Sequence, residues 1–453
     1  MIVCKFGGSS LADARQIRKA CEIMLADPER RIMVVSAPGA RAEFHRDRKI
    51  TDWLLDIIRA HAEGRDDAAP RDAIVTRIRE IVTDLGLSND LIEDMERHLD
   101  EAIFHLDLQT PATRANVLAL GERMSARIVA RYLCTLGAPA RMVDPRDAGL
   151  ILESVAGHTE IAPASYDHLA ALADACDIVV FPGFYGRTST GDTIAFSRGG
   201  SDITGAVIAA AVDADVYENW TDRDSVYAVH PDLIEDPVAL TEMSYREMRE
   251  LAYIGFSIIH PEALEPVLRK HIPIHIRNTN RPEAAGTRII PERTHIDRTL
   301  TGIAAADNFC TINLRRVLIN QEVGILSKIL AIFAELGINV QHVPTGIDSV
   351  SIVVREDQFP LERELVLRQR LTHELGFEQI TIVRQLSIIM LVGEGMRDTV
   401  GVLSQATAAL AKEQISIEMV LLDYFEISLL FMMRHYEKQR AVSALYRAFF
   451  ESA

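Results

Sequence analysis

Along the first 280 residues, short runs of apolar and β-branched residues alternate with segments of helical period, and that alternation admits few folds. Residues 1–6 and 31–36 (RIMVVS) each read as a buried strand ending in a Gly, Ser or Pro turn. Between them, Leu11 to Leu25 carries apolar residues at helical spacing. Strand-like runs return at 140–144, 178–184, 215–219 and 272–277, with helices expected at about 201–213, 244–255 and 261–270. Strand, helix and parallel strand in succession make a layered α/β domain. Residues 52–107 break the rhythm: they are charged, helical in period and interrupted by Gly64 and Pro70, so they read as a helical excursion.

Composition narrows the function classes. The formal charge is −17, which suits neither nucleic acid nor an anionic membrane. No apolar run approaches the ~18–20 residues of a membrane span, and the opening MIVCKFGGSS shows no signal-peptide pattern. The five cysteines (Cys4, Cys21, Cys134, Cys176, Cys310) form no CxxC, so buried free thiols in a reducing cytoplasm are expected, with no disulfide framework and no metal site. His260, His271, His275 and His342 carry no metal-ligand spacing.

A polar stretch punctuated by Pro282, Gly286, Pro291 and Gly302 reads as a linker over 282–302. It divides a domain over 1–281 from an internal repeat. Gly324-Ile325-Leu326-Ser327 recurs 77 residues later as Gly401-Val402-Leu403-Ser404, and Val350-Ser351-Ile352 as Ile427-Ser428-Leu429. Two βαββαβ modules are expected, over 303–379 and 380–453. Each buries one sheet face only, so copies are expected to associate through their sheets. A purely structural duplication gives the same pattern; glycine-started helices also leave backbone N–H groups for a small anion or amino acid.

Chemistry concentrates at strand ends. Lys5-Phe6-Gly7-Gly8-Ser9-Ser10 lies where the first strand gives way to a helix. Its glycines admit an anion to the backbone amides, its serines can donate, and Lys5 adds a full charge. Phosphoryl transfer needs that kind of site. A turn with a solvated lysine fits the motif taken alone. A second loop, Ser197-Arg198-Gly199-Gly200-Ser201-Asp202, opens an apolar helix; Arg198 can grip a carboxylate and Asp202 can orient a cation or amine. A third, Thr221-Asp222-Arg223-Asp224-Ser225-Val226-Tyr227, follows the strand at 215–219, where open α/β sheets bind ligands. Gly121-Glu122 starts another helix, and Thr51-Asp52 begins the helical excursion; either pair could be an ordinary helix start.

Taken in order, these motifs resemble the amino acid kinase family and, within it, the aspartate kinases. KFGGSS at 5–10, VVSAPG at 34–39, TDWLL at 51–55, GER at 121–123, FPGFYG at 181–186, SRGGSDITG at 197–205, TDRDSVY at 221–227 and GFSIIHPEAL at 255–264 carry the resemblance, which spans essentially the whole chain. It implies an α/β fold: a three-layer open-sheet kinase domain followed by two ferredoxin-like ACT modules. It implies ATP-dependent phosphorylation of the L-aspartate side chain, with Mg²⁺, to give 4-phospho-L-aspartate in the first step of lysine, threonine and methionine biosynthesis. Lys5, Gly7, Gly8 and Ser9 are implied to hold the transferring phosphoryl group, with Asp202 organising that site. Thr51, Glu122 and Arg198 are implied to bind aspartate. Thr221, Asp222, Tyr227 and Asp232 fall to the nucleotide. The branch most like this chain is single-function and responds to lysine together with threonine, so these effectors, a cytoplasmic setting and a homodimer or higher homo-oligomer through the ACT modules are expected.

The chain departs from that pattern in places. His230-Pro231-Asp232 stands where many members have Asp-Pro-Arg, Ser257 where lysine is common, and Ala119 where serine is frequent. Arg223, unusual in its loop, is the expected replacement cation. In the second module, Leu422-Asp423-Tyr424-Phe425-Glu426 replaces a loop of small polar residues, so altered feedback or a structural role is expected there. Val343 occupies a position that is acidic in some relatives. Two other readings remain: a related kinase acting on another small carboxylate, and a catalytically weak amino-acid sensor.

Overall fold

The structure is a computed structural model that describes residues 1–41, 47–155, 158–197, 199–256, 259, 261–293, 295–422 and 427–451. It divides into two compact units. The first holds Met1–Val226, Ala239–Ala252 and Ser257–Thr294; the second holds His295–Ala453 together with Tyr227–Val238 and Tyr253–Phe256.

The first unit is built on strands β1 (Ile2–Phe6), β2 (Arg30–Val35), β3 (Ala140–Met142), β4 (Ile178–Pro182), β5 (Val216–Thr221), β6 (Glu242–Ser244), β7 (Ile274–Asn278) and β8 (Thr287–Ile290). They form one sheet in the order β6-β8-β7-β5-β1-β2-β4-β3. Strand β1 is central and parallel to both β2 and β5. Thr287–Ile290 lie inside the stretch expected as a linker but pair antiparallel with β7. Thr287 holds them there, its Oγ1 accepting from the Val226 N–H at 2.8 Å.

Successive strand residues point to opposite faces, and both faces of this sheet are covered. On one face Cys4, Phe6, Met33, Val35, Val180 and Trp220 share a core with helices α1 (Ala14–Leu25), α2 (Ile50–Ala62), α3 (Ala68–Asp84), α4 (Asp90–Phe104), α5 (Pro111–Leu118) and α6 (Leu120–Thr135). Helices α2–α4 span Ile50–Phe104 and pack into the main core. On the other face lies α7 (Gly200–Ala211), whose Gly205 meets the Tyr217 ring so closely that a Cβ would sit 2.7 Å from it. Helix, sheet and helix make the three layers.

The second unit carries strands β9 (Gly302–Arg315), β10 (Val340–His342), β11 (Ser349–Arg355), β12 (Gln379–Val392), β13 (Met419–Leu422) and β14 (Ser428–Arg434), in the order β10-β11-β9-β12-β14-β13. The two long strands belong to both modules. Residues 309–315 of β9 pair with β11, while residues 386–392 of β12 pair with β14. Each long strand is therefore the first of one module and the last of the other. Where they cross, Asn308 (φ 67°) and Gln385 (φ 55°) adopt left-handed backbone and the β9–β12 register shifts. Bulges of this kind bend a strand.

The repeated helices α8 (Ile325–Glu335) and α10 (Val402–Lys412) are each capped by a left-handed glycine, Gly324 (φ 79°) and Gly401 (φ 93°). Nothing crowds either position, so conformation alone requires glycine. Helices α9 (Leu361–Leu375) and α11 (Lys438–Tyr446) complete the modules. The segment Tyr227–Val238 packs within this unit: Val229 bridges Ile303 in parallel, and the Val238 N–H donates to the Tyr446 hydroxyl at 2.9 Å. Cys4, Cys21 and Cys310 are buried free thiols, whereas Cys134 and Cys176 are exposed.

Candidate active site

The strand register places the first charged pair. Lys5 stands opposite Asn219 in the β1–β5 ladder, so both side chains project toward α7. Lys5 is buried, and its ammonium meets Asp202 Oδ1 at 2.5 Å. Asn219 Nδ2 donates to the same oxygen at 3.0 Å, and the Tyr217 hydroxyl donates to the Asp202 carbonyl at 3.1 Å. Asp202 lies in the first turn of α7 after the left-handed Gly199 cap (φ 62°), where the helix dipole favours a carboxylate.

Close backbone approach builds the floor. The Gly7 N–H donates to the Trp220 carbonyl at 3.1 Å, and the Gly39 N–H to the Gly8 carbonyl at 2.8 Å. A Cβ on Gly8 would come within 2.9 Å of the Ala37 carbonyl, and one on Gly121 within 2.6 Å of the Ala37 Cβ. The loop Ser36–Gly39 is therefore clamped between the Gly7-Gly8 turn and the start of α6. Ser9 is half-buried in the same turn, while Ser10 Oγ lies 2.7 Å from Thr279 Oγ1.

The same loop gathers two more expected residues. Ile50 N–H donates to the Pro38 carbonyl at 3.1 Å, which fixes the start of α2 and places Thr51, half-buried, in its first turn. Glu122, in the first turn of α6, is buried and accepts from the Ala37 N–H, yet its Oε2 has no partner among the described residues. Burial pushes its carboxyl up to about 8, against an ordinary value of 4.5, and the backbone hydrogen bonds only partly oppose this.

In the third loop, Thr221 Oγ1 donates to Asp222 Oδ1 at 3.2 Å, and its carbonyl accepts from the Thr279 N–H at 2.8 Å. Asp224 is held by Asn278 Nδ2 at 2.7 Å and Arg281 at 2.5 Å. Arg223, between them, is half-buried and makes no hydrogen bond or ion pair with the described residues.

The structure thus brings Lys5, Gly7, Gly8, Asp202, Thr51 and Glu122 around one loop-lined end of the sheet. Arg198 and Ser257 lie outside the described residues. Tyr227 and Asp232 belong to the second unit, where Asp232 is exposed and its N–H donates to His230 Nδ1 at 3.2 Å. The sequence reading left two participants unassigned. Asn219 was signalled by an Asn and a Glu inside the buried strand VYENWT, and Ala37 by the short SAPG turn after β2.

The model of the amino acid kinase family matches residues 1–278, and that of the ACT domain residues 389–449. The chain is 39% identical to aspartokinase 3 of Bacillus subtilis over 99% of both chains. It is similar to the crystal structure of an allosteric aspartate kinase of Clostridium acetobutylicum, at a TM-score of 0.85 and 33% identity, covering 99% of this chain and all of the other. It also matches Escherichia coli aspartokinase III in complex with aspartate and ADP, at a TM-score of 0.81 and 23% identity over 99% of this chain and all of that one, a likeness of fold.

Proposed function

The chain belongs to the amino acid kinase family, in the aspartokinase branch with C-terminal ACT modules, and from that membership we propose a reaction for it and a role for each residue of the site. An oxygen of the L-aspartate β-carboxylate attacks the γ-phosphorus of ATP. The bond from phosphorus to the β,γ-bridging oxygen breaks, ADP leaves, and 4-phospho-L-aspartate forms, the entry to lysine, threonine and methionine biosynthesis. The acceptor is already an anion near neutral pH, so no general base is required. The barrier is repulsion between two anions, which positioned positive charge lowers.

The observation that carries this reading is the buried Lys5–Asp202–Asn219 group at the mouth of a glycine-built turn. Lys5 meets the γ-phosphoryl charge, and Asp202 and Asn219 fix where its ammonium sits. Gly7, Gly8 and Ser9 bring backbone amides to the phosphates, and Mg²⁺ enters as part of the substrate MgATP. Glu122 receives the aspartate ammonium on its open Oε2, Thr51 lines the same pocket, and Arg198 takes the α-carboxylate. Thr221 and Asp222 serve the nucleotide, and Arg223 supplies a cation to its phosphates.

In the second unit, a cavity of about 280 Å³ lined by Asn320, Glu322, Gly324, Thr345 and Gly346 takes an amino-acid effector, lysine or threonine. In the second module, the loop expected to be altered begins at Leu422, and its residues 423–426 lie outside the described set; we assign that module a structural role. Among the described residues, strands β10 and β13 are the outermost of the six-stranded sheet, and a second copy covers these edges.

Hydroxylamine trapping of the acyl phosphate tests the reaction. Aspartate with MgATP gives the hydroxamate, whereas glutamate, N-acetylglutamate or omission of ATP gives none. Equal trapping with another acceptor overturns the assignment, and no trapping with any acceptor leaves a sensor.

A further inference from the structure

Beside Glu122 on α6, Arg123 heads a buried network with no part in the chemistry above. Its Nε donates to the Tyr185 hydroxyl at 3.0 Å, and its Nη1 to Asn116 Oδ1 at 3.0 Å. The guanidinium carbon lies 4.9 Å from the centre of the Tyr185 ring. Tyr185 is fully buried, and its hydroxyl donates to Asp144 Oδ2 at 2.9 Å. Asp144 also takes Arg146 bidentately, at 2.9 and 3.2 Å, and lies 3.4 Å from Arg123 Nε. The phenol is held neutral, because burial drives its ionisation far upward.

Tyr185 is anchored to the start of α7. It follows Gly183 and Phe184, and Phe184 is held in a left-handed conformation (φ 77°) that a bulky residue adopts only when its surroundings impose it. Thr204 Oγ1 accepts from the Phe184 N–H at 3.2 Å and donates to the Gly200 carbonyl at 2.7 Å. A Cβ on Gly200 would lie 2.8 Å from the Phe184 Cα, and one on Gly183 2.7 Å from Ser201 Oγ. The turn at 183–184 is therefore pressed onto the first turn of α7.

We infer that Arg123 and Tyr185 form a strut setting the span between Glu122, on α6, and the glycine loop that opens α7, and that this span fixes the affinity for the amino-acid acceptor. The two are positioning residues: they touch no reacting atom and act through Glu122 and the first turn of α7. The inference rests on the proposed reaction, in which those two elements hold the aspartate ammonium and α-carboxylate. A displacement of about 1 Å in such a clamp costs binding steeply.

Tyr185→Phe keeps the ring and its stacking with Arg123 but removes the hydroxyl. It is expected to raise KM for aspartate about five- to tenfold, with KM for ATP and kcat within about twofold of the parent. Arg123→Gln is expected to raise KM for aspartate further, and Arg123→Lys to recover part of the loss. Unchanged KM for aspartate in both Tyr185→Phe and Arg123→Gln overturns the strut. So does a rise in both KM values matched by a fall in kcat and in the unfolding midpoint, which marks a merely structural network. Failure of the underlying reaction is distinguishable, because the parent protein then yields no hydroxamate from aspartate.

Discussion

The two faces of strand β5 hold neighbouring polar residues under opposite conditions. On the back face Glu218 is saturated: Arg30 reaches it at 2.8 and 3.2 Å, Arg277 at 3.2 Å, the Trp220 indole N–H at 2.9 Å and the Cys4 thiol at 3.4 Å. These cations hold its carboxyl below the ordinary range against burial, which pushes the other way. On the front face Asn219 helps hold the Lys5–Asp202 pair, and at the same end of the sheet Glu122 keeps an oxygen without a partner among the described residues. A closed network holds strands together, whereas an open one retains binding capacity for a substrate. On the proposed reaction, consecutive residues of one strand divide scaffold from chemistry.

That contrast can be broken from either side. Glu218→Gln leaves two desolvated guanidiniums facing a neutral amide and is expected to cost about 3–5 kcal/mol of stability in urea unfolding. Turnover per folded molecule and both KM values stay at parent levels. Comparable loss of KM would show that the back face also serves the site.

On the open side, above pH 8, where its carboxylate has formed, Glu122→Gln is expected to raise KM for aspartate about ten- to a hundredfold, because the substrate ammonium loses its anion. The pH dependence sharpens the point. The carboxyl titrates at about 8 in the folded protein and near 4.5 when exposed, so the fold holds the proton more tightly. Its stabilising contribution is complete below pH 4.5 and is lost as pH rises through 8. Aspartate affinity moves the other way, improving as pH rises toward 8 and the carboxylate forms. Both slopes disappear in Glu122→Gln, as urea midpoints and KM values across that range will show.

Asn219→Ala frees one side of Asp202 and is expected to lower kcat about fivefold, with stability almost unchanged. Arg223→Ala is the smallest expected change, about a threefold rise in KM for ATP with KM for aspartate constant; an unaltered ATP affinity would dispose of its role as a replacement cation.

Much of this architecture was legible because parallel strands buried on both faces must be apolar runs, and such runs stand out between helical segments. Strands were expected at 1–6, 31–36, 178–184 and 272–277, and they occupy Ile2–Phe6, Arg30–Val35, Ile178–Pro182 and Ile274–Asn278. The repeat of 77 residues located both left-handed caps, Gly324 and Gly401. Less legible was pairing across long sequence separations. The periodicity of 302–315 and 379–392 says nothing about a strand shared by two modules, since that depends on which partner each half meets. In the site, Lys5 and Asp202 were readable from their loops, but Asn219 needed the register that sets it opposite Lys5. Glu122 was readable as a helix-start acid; its open, buried oxygen depends on how closely Gly121 lets Ala37 approach.

Central to the account is the Lys5 ammonium acting on the transferring phosphoryl group. Lys5→Met keeps the length and apolar bulk of the side chain, and its decisive readout is the hydroxamate rate at saturating aspartate and MgATP, alongside the urea midpoint. The account predicts a rate lower by about three orders of magnitude in a protein that still folds cooperatively. A folded Lys5→Met protein turning over at the parent rate would contradict it.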